Sequence, residues 1–453
     1  MLRRIRLSSV ILIALVVTVA ATVRADDDYD PLEGMDPDGR IQKVDKAALV
    51  EHPERWRYLP ESRIPPGNVL DRFLVSSLVF PVVFFSSDVG AGFGAGITDL
   101  DWRNQRRREF LGVFASYSTE GQQSYNLGWR RWLKQVDVPS GGVLQEERSF
   151  VRLSGGYRNT LTRRFFGIGP NTSDYNETSY TDQTFWIDGG FSYSLEGVLS
   201  DFVVSFGLFV ERHWLSGGNV DGVPDPDVTS NPLIVTPRTN ELFQEADGST
   251  LGWINAGLAW DKRDSLRNAY EGHVIGGSVQ AAVVQDAGDV GAIYTVFANK
   301  VFSLPPLFHD GGDRNEEHPP TDSIGFHFRT QLSSGDLPFY SRPTLGGSEL
   351  QRGYIAGRWR DDASWTTGAE YRFWVIPRGF TVYKNIRVER IGGAFFYEAG
   401  GVGEDGLDLL NSRVVHTYGF GGRATIERAV LFRLDLGFSG EGVNLAAGFG
   451  LTF

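Results

Sequence analysis

Many side chains in this sequence carry chemistry, but few are spaced to perform it. The histidines are His52, His213, His273, His309, His318, His327 and His416, and no two fall at a metal-ligand spacing. His309 and His318 share one segment with Asp310, Asp313, Glu316 and Glu317. Such a composition suits a divalent cation, but solvated acidic turns share it, and that is the reading adopted. His213 and Ser216 are the one suggestive base–nucleophile pair. No Gly-x-Ser-x-Gly elbow and no phosphate-binding glycine loop ending in lysine occurs. Cysteine is absent, which excludes disulfide frameworks and thiolate metal centres. The expectation is therefore no enzyme, no metal and no cofactor.

What remains is charge placed at alternate positions. Glu370 and Arg372 alternate with Ala369, Tyr371, Phe373 and Val375; Arg433 and Asp435 alternate with Phe432, Leu434, Leu436 and Phe438. Ile324, Phe326 and Phe328 likewise alternate with His327 and Arg329. A strand sends successive side chains to opposite faces, so these charges gather on one surface and the large apolar residues on the other. Together with Arg352 and Glu398 they form one candidate constellation around an interior. They could act as a latch between a loop and the wall, or as a solvated wall that tunes ion passage.

The elements that position these charges follow an export signal. Arg3, Arg4 and Arg6 precede an apolar run from Val10 to Ala21, and Val23-Arg24-Ala25 reads as a cleavage site before acidic Asp26. Residues 1–25 are thus expected to be a signal peptide that is removed. After it no stretch approaches the ~18 apolar residues of a spanning helix. The formal net charge of −12 argues against a nucleic-acid partner. Residues 26–78 are acidic and proline-containing without alternation, and predict a periplasmic N-terminal arm with a short helix near Lys43 to Val50.

From residue 79 to 453 the pattern has period two in segments of about 9–13 residues, the length of a tilted spanning strand. Sixteen segments are legible: 79–86, 90–101, 109–118, 122–134, 147–158, 180–195, 199–214, 251–262, 271–284, 291–304, 322–333, 364–376, 386–398, 413–425, 429–439 and 443–453. Trp102, Trp132, Tyr157, Trp214 and Trp374 lie near segment ends, as interfacial girdles would. The fold expected is all-β, a sixteen-stranded antiparallel transmembrane barrel with a short N-terminal arm. The long connections 159–179, 215–250, 334–363 and 399–412 fall on the extracellular side, whereas 305–321 is long for a periplasmic turn. On the last strand Leu445, Ala447, Phe449, Leu451 and Phe453 share one face. A terminal aromatic on an apolar stripe resembles the signal by which outer-membrane proteins are recognised for assembly, which assigns that role to Phe449, Leu451 and Phe453.

Leu345-Gly346-Gly347-Ser348-Glu349-Leu350-Gln351-Arg352-Gly353-Tyr354, followed by Phe396-Tyr397-Glu398-Ala399-Gly400, resembles a pair of motifs in the BamA/TamA superfamily of outer-membrane insertases and translocases, the bacterial surface antigens. Weaker matches are Phe165-Phe166-Gly167-Ile168-Gly169, Asp261 to Gly272, and Tyr418 to Arg423. The resemblance implies that the Arg-Gly-Tyr tip folds into the lumen, that Arg352 meets Glu398, and that Gly353 lets the tip turn tightly beside Tyr354. Gln351 stands where the family usually has an aliphatic residue, and Glu398 where it has Asp. The chain is expected to be a barrel-only member in the cell outer membrane. It would assist insertion or translocation of protein or lipid through a lateral seam, with outer-membrane lipids, unfolded outer-membrane proteins or periplasmic accessory proteins as partners. The alternative is a narrow passive channel gated by residues 334–363.

Overall fold

The computed structural model describes residues 11–13, 34–36, 38–60, 77–86, 90–99, 101–226, 249–266, 268–286, 290–313, 315–383, 386–426 and 430–450. Sixteen long strands follow one another: β1 Ser77–Ser86, β2 Gly90–Asp99, β3 Glu109–Ser118, β4 Gln123–Trp132, β5 Phe150–Phe165, β6 Thr178–Ser194, β7 Phe202–Gly217, β8 Ser249–Asp261, β9 Gly272–Gln285, β10 Gly291–Leu304, β11 Asp322–Gly335, β12 Ala363–Ile376, β13 Ile386–Gly403, β14 Val415–Ile426, β15 Val430–Ser439 and β16 Gly442–Phe449. Each pairs antiparallel with its chain neighbour. The sheet order sets β16 beside β1.

The two faces of each strand separate as the alternation requires. On β13, Phe395 and Tyr397 are exposed while Phe396 and Glu398 are buried. On β11, Phe326 and Phe328 are exposed and His327 between them is buried. A soluble sandwich buries its apolar face and solvates its charges. Here large apolar side chains cover the outside and charges line the inside, the arrangement that only a lipid surround favours.

Several sequence expectations shift. β5 and β13 run on to Phe165 and Gly403, beyond the expected ends at 158 and 398. Trp132 and Trp374 are not girdle residues: both are buried, and Trp374 packs with Tyr270 and Leu431 at the end of the barrel that holds the arm. Trp374 keeps the inward parity of Glu370 and Arg372, and the β12–β13 register breaks just after it, between Trp374 and Ile376. The expected arm helix is a single 3-10 turn, Lys46–Ala48.

The arm also recruits structure the sequence did not suggest. Trp56–Leu59 pairs with Val143–Glu146, which pairs with Gln135–Asp137, in a three-stranded sheet beneath the barrel. Tyr58, Val138 and Leu144 form its core, flanked by Ile41, Val44, Leu49 and Val50. The long 305–321 connection has a structural reason. It receives the arm through Lys43 N–H to the Asn315 carbonyl (2.8 Å), Glu317 N–H to the Ile41 carbonyl (2.8 Å) and a Lys46–Glu317 ion pair.

Candidate functional site: a loop tip held in the barrel lumen

The β11–β12 connection, residues 336–362, does not lie over the barrel but inside it. Its apolar residues act as successive anchors. Leu337 packs among Leu251, Trp253, Ala282 and Ile293; Phe339 among Phe165, Tyr180 and Leu215; Leu345, Tyr354 and Trp359 against Val402 and Val415. The Tyr354 and Trp359 rings meet edge-on at 4.4 Å.

The stem is tied by arginines. Arg358 donates to Glu441 at 2.8 Å and to Thr172 Oγ1 at 3.0 Å, and its guanidinium lies 4.6 Å from the Phe166 ring. Gly169 N–H reaches the Arg360 carbonyl at 2.9 Å. The Phe165 to Gly169 motif is thus the receptor for the loop stem.

At the tip, Arg352 is fully buried. Its Nε donates to Glu398 Oε1 (2.9 Å) and its own backbone N–H to Glu398 Oε2 (2.8 Å). One terminal nitrogen reaches Glu370 (2.7 Å) and Asp435 (3.1 Å). The planar group lies flat on Phe396, 3.5 Å from the ring centroid. The remaining lobes of those carboxylates are taken by Arg372 on Glu370 (2.9 Å) and by Arg423 (2.6 Å) and Arg433 (3.1 Å) on Asp435. Four guanidiniums therefore share three carboxylates, and Arg433 offloads part of its charge onto the Ser348 carbonyl at 2.7 Å. Arginine suits this position because a rigid fork can bridge several carboxylates and still stack.

The tip backbone needs room as well as charge. A methyl group on Gly437 would sit 2.6 Å from the Arg352 carbonyl carbon, and one on Gly353 would sit 2.8 Å from the Phe438 carbonyl oxygen. The role of Gly353 is thus close approach to β15, not the tight turn; the left-handed residue of the tip is Gln351, at φ 56°. Gln351 is polar because its amide oxygen accepts from Thr417 (3.2 Å) inside the lumen. Gly400 is buried on β13 opposite Thr366. Asn444 on β16 caps the tip carbonyls of Arg352 (2.9 Å) and Tyr354 (3.2 Å).

Arg423, Thr417 and Asn444 were missing from the sequence-derived site. Alternation with exposed Tyr418 and Phe420 would have turned Arg423 inward; nothing in the pattern marks Asn444 as a cap. Of the terminal aromatic stripe, Phe449 pairs with Phe432 through the backbone, while Leu451 and Phe453 lie outside the described residues. The His213–Ser216 pair is not assembled for hydrolysis, since both ring nitrogens of His213 face carboxylates, Asp182 at 2.8 Å and Glu211 at 3.1 Å. His309 and His318 do not converge either: His309 Nδ1 accepts from Gly311 N–H (3.0 Å), and His318 lies where the arm docks.

Sixteen strands with an apolar outside, a charged inside and a loop tip bound in the lumen define an outer-membrane-type β-barrel whose lumen is braced by its own loop. Residues 107–451 match the Omp85 superfamily domain, and the chain belongs to that superfamily. BamA from Haemophilus ducreyi, in a form lacking POTRA domains 1–3, aligns at 12% identity over 89% of this chain and 77% of that one, with a TM-score of 0.46. CdiB from Acinetobacter baumannii aligns at 11% identity over 83% of this chain and 59% of that one, with a TM-score of 0.47. No curated protein matches the sequence. Barrels of this superfamily are outer-membrane proteins of the insertion and translocation kind, not conventional enzymes.

Proposed function

We propose that the chain, freed of residues 1–25 on export, assists insertion or translocation of protein or lipid at the outer membrane through a seam between β16 and β1. The observation that carries this reading is the anchorage of Arg352. One guanidinium joins carboxylates on β12, β13 and β15, and Asn444 adds β16. That brace stiffens the wall on one side of the seam and leaves opening to its other side.

Two features of β1 support a weak edge there. Pro81 sits in the middle of the strand, and a proline, lacking a ladder donor, is tolerated on edge strands. Val83–Phe85 pairs with Ile11–Ile13, residues of the leader; once these are removed, that length of edge needs another strand. Unfolded outer-membrane proteins would supply strands, membrane lipid would meet the opened seam, and periplasmic accessory proteins would meet the arm. A passive channel gated by the same loop is less favoured, because moving the loop aside would strip three buried carboxylates of their shared cation.

The test is the folding rate of a urea-unfolded outer-membrane barrel into phospholipid vesicles with and without the purified chain embedded. Faster folding is expected. No acceleration, together with steady ion conductance in planar bilayers, would favour the channel.

A further inference from the structure

We propose that the outer face of the barrel at the arm end of β3 and β4 binds the headgroup of a phospholipid of net negative charge through its phosphate. The inference rests on the membrane-spanning barrel and is independent of what passes through it.

The lipid-facing stripe of β3 and β4 runs in register through Ala115 with Tyr125, Val113 with Leu127 and Leu111 with Trp129, and then ends on Glu109 with Arg131. Two residues of strand advance about 7 Å, so this last pair lies where the apolar layer gives way to headgroups. Arg103, from the β2–β3 connection, clasps Glu109 through Nε (2.7 Å) and a terminal nitrogen (2.6 Å), and Arg131 pairs with the same carboxylate. Arg106, three residues on in the same connection, pairs with Asp137 at 3.0 Å.

Burial sorts these charges by sign. Arg103, Arg106 and Arg131 are 55%, 54% and 33% exposed, whereas Glu109 beneath them is 0% exposed. Asp99 and Asp101 are also buried, with their oxygens turned to the backbone N–H groups of Asp101 (3.0 Å) and Arg107 (2.6 Å). The surface that meets the headgroup layer is therefore guanidinium, with Asp137 the exposed carboxylate beside it. This occurs in a chain whose net charge is −12.

The backbone is held for this display at a cost. Arg103, Arg106 and Arg107 all have positive φ, at 61°, 52° and 58°. Three non-glycine residues in the left-handed region within one short connection persist only when their surroundings over-determine them, and such strain gathers at ligand clamps. The clamps here are the carboxylates of Asp99 and Asp101, the Gln145 amide on the Arg107 carbonyl (3.0 Å), and Arg108 on the Trp132 (3.1 Å) and Leu133 (3.0 Å) carbonyls. With Nε and one terminal nitrogen of Arg103 on Glu109 and one terminal nitrogen of Arg106 on Asp137, the donors offered to a headgroup phosphate are the other terminal N–H groups of these exposed guanidiniums, and Trp129 above them suits the glycerol–acyl boundary.

The test is native mass spectrometry of the full chain released from micelles containing equal phosphatidylglycerol and phosphatidylcholine. Wild type should retain phosphatidylglycerol preferentially. Arg103→Gln with Arg106→Gln removes exposed side chains and should cut that preference by about fivefold per arginine; heat-modified gel mobility reports whether the barrel is still folded. Lys262→Gln with Arg212→Gln removes two cations elsewhere and should leave the preference unchanged. Unchanged preference in the first pair, or equal loss in the second, overturns the site. So does displacement of the lipid by millimolar inorganic phosphate, which would mark a simple anion site.

Discussion

Arg352 is the residue on which the loop tip depends, and its three partners are not equally dependent on it. Glu370 keeps Arg372 and Asp435 keeps Arg423 and Arg433 when Arg352 is removed. Glu398 has no such second cation among its described contacts, so Arg352→Ala leaves it buried without a counter-charge, held only by the backbone N–H of residue 352. The expected loss is ~3–5 kcal/mol in denaturant unfolding. Glu398→Gln should return part of that loss, because a neutral amide costs less to bury. A double-mutant cycle with purely additive losses would mean that the two groups are energetically uncoupled. Arg352→Lys should behave more like Ala than like Arg, since an ammonium cannot bridge the carboxylates and lie on Phe396 as well. Gly437→Ala tests shape without touching charge. Its methyl would overlap the Arg352 backbone, so the tip should lift, which increased protease cleavage between residues 346 and 357 would report while the strands stay intact.

At the scale of elements, the arm and the 305–321 connection form one unit. Arg57 pairs with Glu147 at 3.2 Å and Arg55 with Asp201, so the arm touches several connections at that end of the barrel, and Arg378 ties the 305–321 connection to the β12–β13 connection through Glu316 at 2.6 Å. His318 sits at this junction. Burial, together with the cations Arg57 and Lys46, holds its imidazole well below the usual value, to about 3, with Glu147 opposing. A histidine with a depressed folded pKa contributes stability that is full above about 6.5 and is lost as pH falls towards the folded value. Docking of the arm should therefore weaken between pH 6.5 and 5, before most carboxylates titrate. Hydrogen exchange of residues 41–59 should quicken over that range, and His318→Gln, which cannot take up the proton, should flatten the dependence.

For the whole molecule, the division of labour is between assembly and stability. A barrel with fifteen antiparallel ladders between chain neighbours is not undone by one apolar contact worth ~2 kcal/mol. If Phe453 is an assembly signal, its deletion should lower the amount of folded protein in the outer membrane severely. The denaturation midpoint of whatever does assemble should barely move. Equal membrane levels of the truncated and full chains would refute the signal.

What the sequence alone determined is the wall. Period two is a local property of an extended chain: it places Glu370, Glu398 and Asp435 on one face and Phe395, Tyr397 and Leu434 on the other without reference to any neighbour. Strand number and neighbour order followed from it, because consecutive spanning strands cross the bilayer in alternate directions and pair antiparallel with the next in line. Only the tertiary structure decided what fills the wall. A loop has no periodicity, so the path that brings Arg352 onto three carboxylates from three strands depends on apolar anchors spaced along residues 337–359 and on the gap that Gly437 leaves in β15. The same holds for the arm: its partners at 143–146 and 315–317 lie far away in sequence.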